Sequence, residues 1–92
     1  MTVRPPELPG SELVERGLRD LSRGAETIEA LLVSINAPRL RALGLPVATP
    51  FDTPELRLYR QLAALHGAAA HSRYNALVRR MVSYQRAAEC AR

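Results

Sequence analysis

An apolar residue recurs every three or four positions from Val14 to Ile35 and again from Leu56 to Ala88, and a segment holding Pro38, Pro46 and Pro50 divides the two runs. Steps of three and four return a side chain to one face of an α-helix, whereas a strand would need steps of two. The pattern therefore points to helices on both sides of a proline-rich connector. Composition agrees: 47% of residues are hydrophobic but only 4% are aromatic, so the core must be built from Leu, Val and Ala. Leu and Ala are strong helix formers.

The first run is an uninterrupted heptad seam, Val14, Leu18, Leu21, Ala25, Ile28, Leu32 and Ile35. Ser11 suits an N-cap, and Asn36 followed by Pro38 suits a stop, which predicts one helix from about Glu12 to Ile35. Glu12 and Arg16, like Glu15 and Arg19, stand four apart with the acid first, the favourable order for pairing along a helix surface. Gly17 and Gly24 lie beside the seam, each weakening a helix by about 1 kcal/mol relative to Ala. A close approach of a second helix would offset that cost; the alternative is that both glycines are simply tolerated weak spots.

The second run is longer: Leu56, Tyr59, Ala63, His66, Ala70, Tyr74, Leu77, Met81, Tyr84 and Ala88. Asp52-Thr53-Pro54-Glu55 is a strong helix start, with Asp52 or Thr53 as cap and Pro54 in the first turn. Together they predict one helix of about 35 residues, ~52 Å long at 1.5 Å per residue, whose weakest points are Gly67 and His71-Ser72. Between the runs, Pro38 to Leu43 with Gly44 behind it predicts a short helix. Leu45, Val47 and Phe51 then read as apolar plugs.

Ninety-two residues suffice for one hydrophobic core but not two. Residues 1–10, with Pro5, Pro6 and Pro9, read as an extended arm, mobile unless Val3 or Leu8 docks, and 11–92 as a single helical domain. The expected fold is all-α, a long antiparallel helical hairpin with a short connecting helix. Its second helix carries an additional stripe, Leu58, Leu62, Leu65 and Ala69, rotated by roughly 100° from the first. Two helices share only one seam, so the surplus apolar surface predicts a homodimer in which two hairpins form a four-helix bundle. Leu58, Leu62, Leu65, Leu77 and Met81 are the expected oligomer interface. The rival arrangement is a monomer whose long helix breaks near Gly67.

All thirteen cationic side chains are Arg. A GC-rich genome produces that bias without functional selection, so the distribution is more informative than the number. Residues 1–53 hold six Arg and seven acids, net −1, and residues 54–92 hold seven Arg and two acids, net +5. Arg73, Arg79, Arg80 and Arg86 fall away from the apolar stripe and form a candidate partner-binding basic face, suited to carboxylates or phosphates. Tyr59, Tyr74 and Tyr84 lie on the apolar stripe and not among the arginines, which favours an acidic protein partner over nucleic acid, the alternative. Leu40-Arg41-Ala42-Leu43-Gly44-Leu45 is similar to the end of the first helix and turn of a helix-turn-helix, but Pro46 and Pro50 occupy the place of a recognition helix.

Catalytic and cofactor signatures are not found. His66 and His71 stand five apart, about 140° around a helix, and make no i, i+4 metal pair. Cys90 near the chain end has no base placed to activate it. Glu26 and Glu29, three apart, read as a solvated face, and no glycine pattern resembles a phosphate-binding loop. The expectation is a small non-enzymatic interaction or structural module with no cofactor and no metal. No apolar run reaches the ~18 residues of a membrane span, no secretory signal is visible, and one cysteine cannot form an internal disulfide, so a cytoplasmic location is expected.

Overall fold

Each of the two long apolar runs folds back on itself. The computed structural model describes residues 8–91, and among them the order is α1 (Ser11–Ser22), α2 (Ile28–Ile35), α3 (Ala37–Ala42), α4 (Pro54–His66) and α5 (Ala70–Cys90), with a 3-10 turn at Gly67–Ala69 joining α4 to α5. The described residues are all-helical, with no strand. The expected pair of long helices is thus replaced by two short antiparallel hairpins, α1/α2 and α4/α5. They pack on each other mainly through α2 and α4.

The helix expected over 12–35 breaks at residues 23–27. Gly24 adopts φ 73°, closing α1 in the left-handed conformation that glycine tolerates best. Thr27 then starts α2: its Oγ1 accepts from the Ala30 amide at 3.1 Å and donates to Asp20 Oδ2 at 2.8 Å. Asp20 Oδ1 accepts from Arg23 Nη2 at 3.0 Å, and the Asp20 carbonyl accepts from the Ala25 amide at 2.9 Å. One buried carboxylate therefore staples both sides of the turn. The heptad seam runs through this break because both helices present apolar residues to the same core, so the periodicity alone conceals the turn.

Gly17 is the close approach that its cost called for. A Cβ there would lie 2.4 Å from Val33 Cγ2 and 2.5 Å from the Glu29 carbonyl oxygen, so α1 and α2 meet at this point without an intervening side chain. Ala30, Leu31, Leu32, Val33 and Ser34 are consecutively buried. A short helix buried all round lies at the centre of its fold, and α2 has that place.

The second long helix breaks at Gly67, which takes φ 55° and ψ −121°. The fold's longest dimension is 42 Å, short of the ~52 Å that an unbroken helix would require. Tyr59 and Tyr74 meet across the α4/α5 hairpin with ring centroids 5.8 Å apart. Leu58, Leu62 and Met81, expected between copies, lie in the core of the single chain together with Val14, Leu31, Leu32, Leu40 and Tyr84. Four helices from one chain cover what two helices could not. Leu77 is half-buried against this core, and Leu65 is 65% exposed.

The connector behaves as its sequence suggests. Pro38 stands in the first turn of α3, Gly44 follows it at φ 91°, and Leu45, Val47 and Phe51 pack against the core. Ser34 Oγ accepts from the Phe51 amide at 3.2 Å and ties the connector to α2. Two expected caps differ. Gly10, not Ser11, precedes α1, and Thr53 precedes α4 at φ 41°, a left-handed conformation in which its side chain makes no capping bond. Leu8 packs against the core, whereas Val3 and the rest of the expected arm through Glu7 lie outside the described residues.

Candidate interaction face

Helix α5 is held by one side and presents the other. Ala70, Met81, Tyr84 and Gln85 are buried, and Tyr74, Leu77 and Ala88 pack against the core from partly buried positions. Gln85 fixes the helix in register at the α2/α3 junction. Its Oε1 accepts from Arg39 Nη1 at 3.3 Å, and its Nε2 donates to Asn36 Oδ1 at 3.1 Å. Asn36 in turn donates to the Leu32 carbonyl at 3.0 Å. Gln85 was legible as an inward residue, since it follows Met81 by four positions and so falls on the apolar side of the helix.

The outward side carries the four arginines singled out by sequence, in two lines. Arg73 and Arg80 are seven apart, as are Arg79 and Arg86, so each pair points within ~20° and is offset by roughly 10 Å along the axis. All four are exposed. Arg80 is engaged: its Nη2 donates to Glu12 Oε2 at 2.9 Å, joining α5 to the start of α1. With side chains 47% and 77% exposed, this pair contributes only about 0–1 kcal/mol. The side chains of Arg73, Arg79 and Arg86 make no ion pair or hydrogen bond among the described residues. Arg79 and Arg80 also border an open hollow of about 280 Å³ shared with Pro9, Gly10, Ala76 and Ser83.

Two acids elsewhere are engaged by other arginines. Arg16 reaches Glu29 at 3.8 Å and Arg57 reaches Glu26 at 3.0 Å, so the two glutamates read as a solvated pair serve different cations. The expected Glu12–Arg16 pairing gives way to two tertiary contacts, Glu12 with Arg80 and Arg16 with Glu29. Arg57 is further positioned over the Phe51 ring, 5.9 Å from its centroid. Beside it, Arg60, Gln61, Ala64, Glu26 and Thr53 line a second open hollow of about 480 Å³.

The histidines flank the α4/α5 turn. His66 is half-buried at the end of α4, and His71 is exposed with Nε2 3.3 Å from Asn75 Nδ2. Among the described residues no three His, Cys, Asp or Glu side chains gather as a metal site, and no helix is long and apolar enough to cross a membrane. Cys90 is exposed at the end of α5. Comparison with known protein families, curated proteins and solved structures returns no match.

Proposed function

We propose that the protein is a small non-enzymatic binding module that engages an acidic protein partner through the outer side of α5. The observation that carries this reading is that the Arg73, Arg79 and Arg86 side chains have no ion-pair partner among the described residues, on a helix whose opposite side is anchored in the core. The folded helix fixes the spacing of these guanidinium groups before binding, so the cost left to binding is the ordering of the side chains themselves. Folded, the chain buries Tyr84 in the core and sets the face of neither Tyr59 nor Tyr74 on α5's outer side, the two rings packing on each other between α4 and α5. Tyrosines engaged in the core or with each other are poor stacking platforms for bases, which favours protein over nucleic acid.

The test compares the protein with an Arg79→Ala/Arg86→Ala variant, both immobilised and presented with a nuclease-treated extract. A stoichiometric protein partner retained by the first and lost by the second, with helicity unchanged, is the expected result. Loss of all retention after nuclease treatment, together with duplex or single-strand binding that falls steeply with salt, would transfer the reading to nucleic acid.

A further inference from the structure

We propose that Gly67 is a hinge through which two copies of this chain exchange helix α5, each α5 packing on the α4 of the other copy. The proposal does not rest on the reading of the arginine face, which lies outward in both forms.

Three observations meet at the turn. The apolar stripe of Leu56, Tyr59, Ala63, His66, Ala70, Tyr74, Leu77, Met81, Tyr84 and Ala88 keeps helical steps across the break, so residues 54–90 form one amphipathic helix if the turn straightens. The turn is held by one backbone conformation and an exposed side-chain bond, from Ser72 Oγ to the Ala69 carbonyl at 3.1 Å. Gly67 takes φ 55° with ψ −121°, a combination open to glycine and to few other residues, yet a Cβ at that position would meet nothing within 4 Å. Conformation, and not space, requires glycine there. Gly67, Ala68 and Ala69 are all exposed, and the Ala68-Ala69-Ala70 run has the highest intrinsic preference for helix. The Gly67 amide already donates to the Ala63 carbonyl at i−4, and the Ala70 amide donates to the Gly67 carbonyl at i−3, a bond that straightening would exchange for the regular i−4 one.

The third observation is the uncovered end of the second α4 stripe. Leu58 and Leu62 are buried, but Leu65, next on that stripe, is 65% exposed. In a straight helix Leu65, Ala69, Ser72 and Ala76 align at steps of four, three and four, and the last three are small and exposed as they stand. Two such helices crossing at their hinges would cover Leu65 with these small residues. Exchange preserves the packing of α5 on α4 in either form, so the balance is set at the hinge and at this new crossing.

The experiment is light scattering over a concentration series on three proteins: the natural chain, Gly67→Ala, and a variant with two extra glycines inserted after Gly67. Alanine disfavours the present turn and favours the straight helix, so Gly67→Ala should shift the equilibrium toward dimer by roughly a hundredfold or more in dissociation constant. The lengthened loop should remain monomeric. Exchange is then separated from surface association by mixing differently isotope-labelled copies: in an exchanged dimer the Tyr59–Tyr74 ring proximity appears between chains. A folded Gly67→Ala that stays monomeric, or a dimer whose tyrosine pair remains within one chain, would overturn the proposal. Should Gly67→Ala fail to fold, the natural chain refolded at millimolar concentration should yield dimer where the lengthened variant does not, and equal behaviour of the two would overturn it.

Discussion

Across the N-terminal hairpin, α1 and α2 approach so closely at Gly17 that a single added carbon would strike a side chain and a backbone carbonyl. Across the C-terminal hairpin, α4 and α5 meet through two tyrosine rings 5.8 Å apart, with Tyr59 40% and Leu56 51% exposed. The turns differ in the same sense. Residues 23–27 are stapled by Asp20 and Thr27, whereas no side-chain cap secures Gly67–Ala69. Charge follows suit: among the described residues, the arginine side chains without an ion pair or hydrogen bond are Arg60, Arg73, Arg79 and Arg86 on the C-terminal hairpin and Arg19 alone on the N-terminal one. The N-terminal hairpin is stapled at its turn, whereas the C-terminal one is anchored through its buried face and has an uncapped turn, and it carries the basic face proposed for a partner. Regions that bind or move are commonly drawn from the less stable end of a fold, and this division gives that tendency a concrete form.

The largest effect expected from breaking this contrast is at Gly17. Gly17→Ala should lower stability by about 3 kcal/mol, since the Glu29 carbonyl cannot move aside without displacing α2. Urea denaturation measures this directly. A loss below about 1 kcal/mol would mean that the two helices separate easily and that the N-terminal hairpin is no more rigid than the other. The next effect is at the staple. Thr27→Ala removes the cap of α2 and a hydrogen bond to a buried carboxylate, and should cost about 2 kcal/mol, while Thr27→Ser should recover most of it. Amide exchange should show α1 and α2 opening together in the Ala variant.

Thr53 offers a change of the opposite sign. A β-branched residue at φ 41° is strained, and no capping bond compensates, so Thr53→Gly should stabilise the protein by about 1 kcal/mol. The thermal midpoint should rise. No gain, or a loss, would show that the Thr53 methyl or hydroxyl makes a contact worth more than the strain.

How much of this was legible in the sequence follows from the same two hairpins. Helix identity, the ends at Asn36 and Gly44, the start at Pro54 and the plugging role of Leu45, Val47 and Phe51 could be read because each depends on neighbours in the chain. The breaks could not be read from periodicity, because a helix that folds back onto its own core keeps presenting apolar residues at the same steps. Local clues existed: Gly24 followed by Thr27, and Gly67 before three alanines. Ala30-Leu31-Leu32-Val33, apolar on every side, likewise signalled a central helix that no two-helix arrangement would supply. The outward position of Arg73, Arg79, Arg80 and Arg86 was legible from helical phase alone, whereas the engagement of Arg80 by Glu12 spans 68 residues and depends on how the hairpins dock.

The smallest expected effect is on stability, and it sharpens the functional half of the contrast. Arg79→Ala and Arg86→Ala should each change unfolding free energy by no more than about 0.5 kcal/mol, because neither side chain has a partner within the described residues and both are exposed. Removing like charges from one helix face should, if anything, make the sign slightly favourable, and the gain should fade as added salt screens what remains. Arg80→Ala serves as the internal control, losing its surface pair with Glu12 and a small part of the tie between α5 and α1. Paired denaturation curves at low and high salt separate the cases. If Arg79→Ala or Arg86→Ala cost more than Arg80→Ala, these side chains would be serving the fold, and the α5 surface would lose its standing as the part of the molecule held in reserve for a partner.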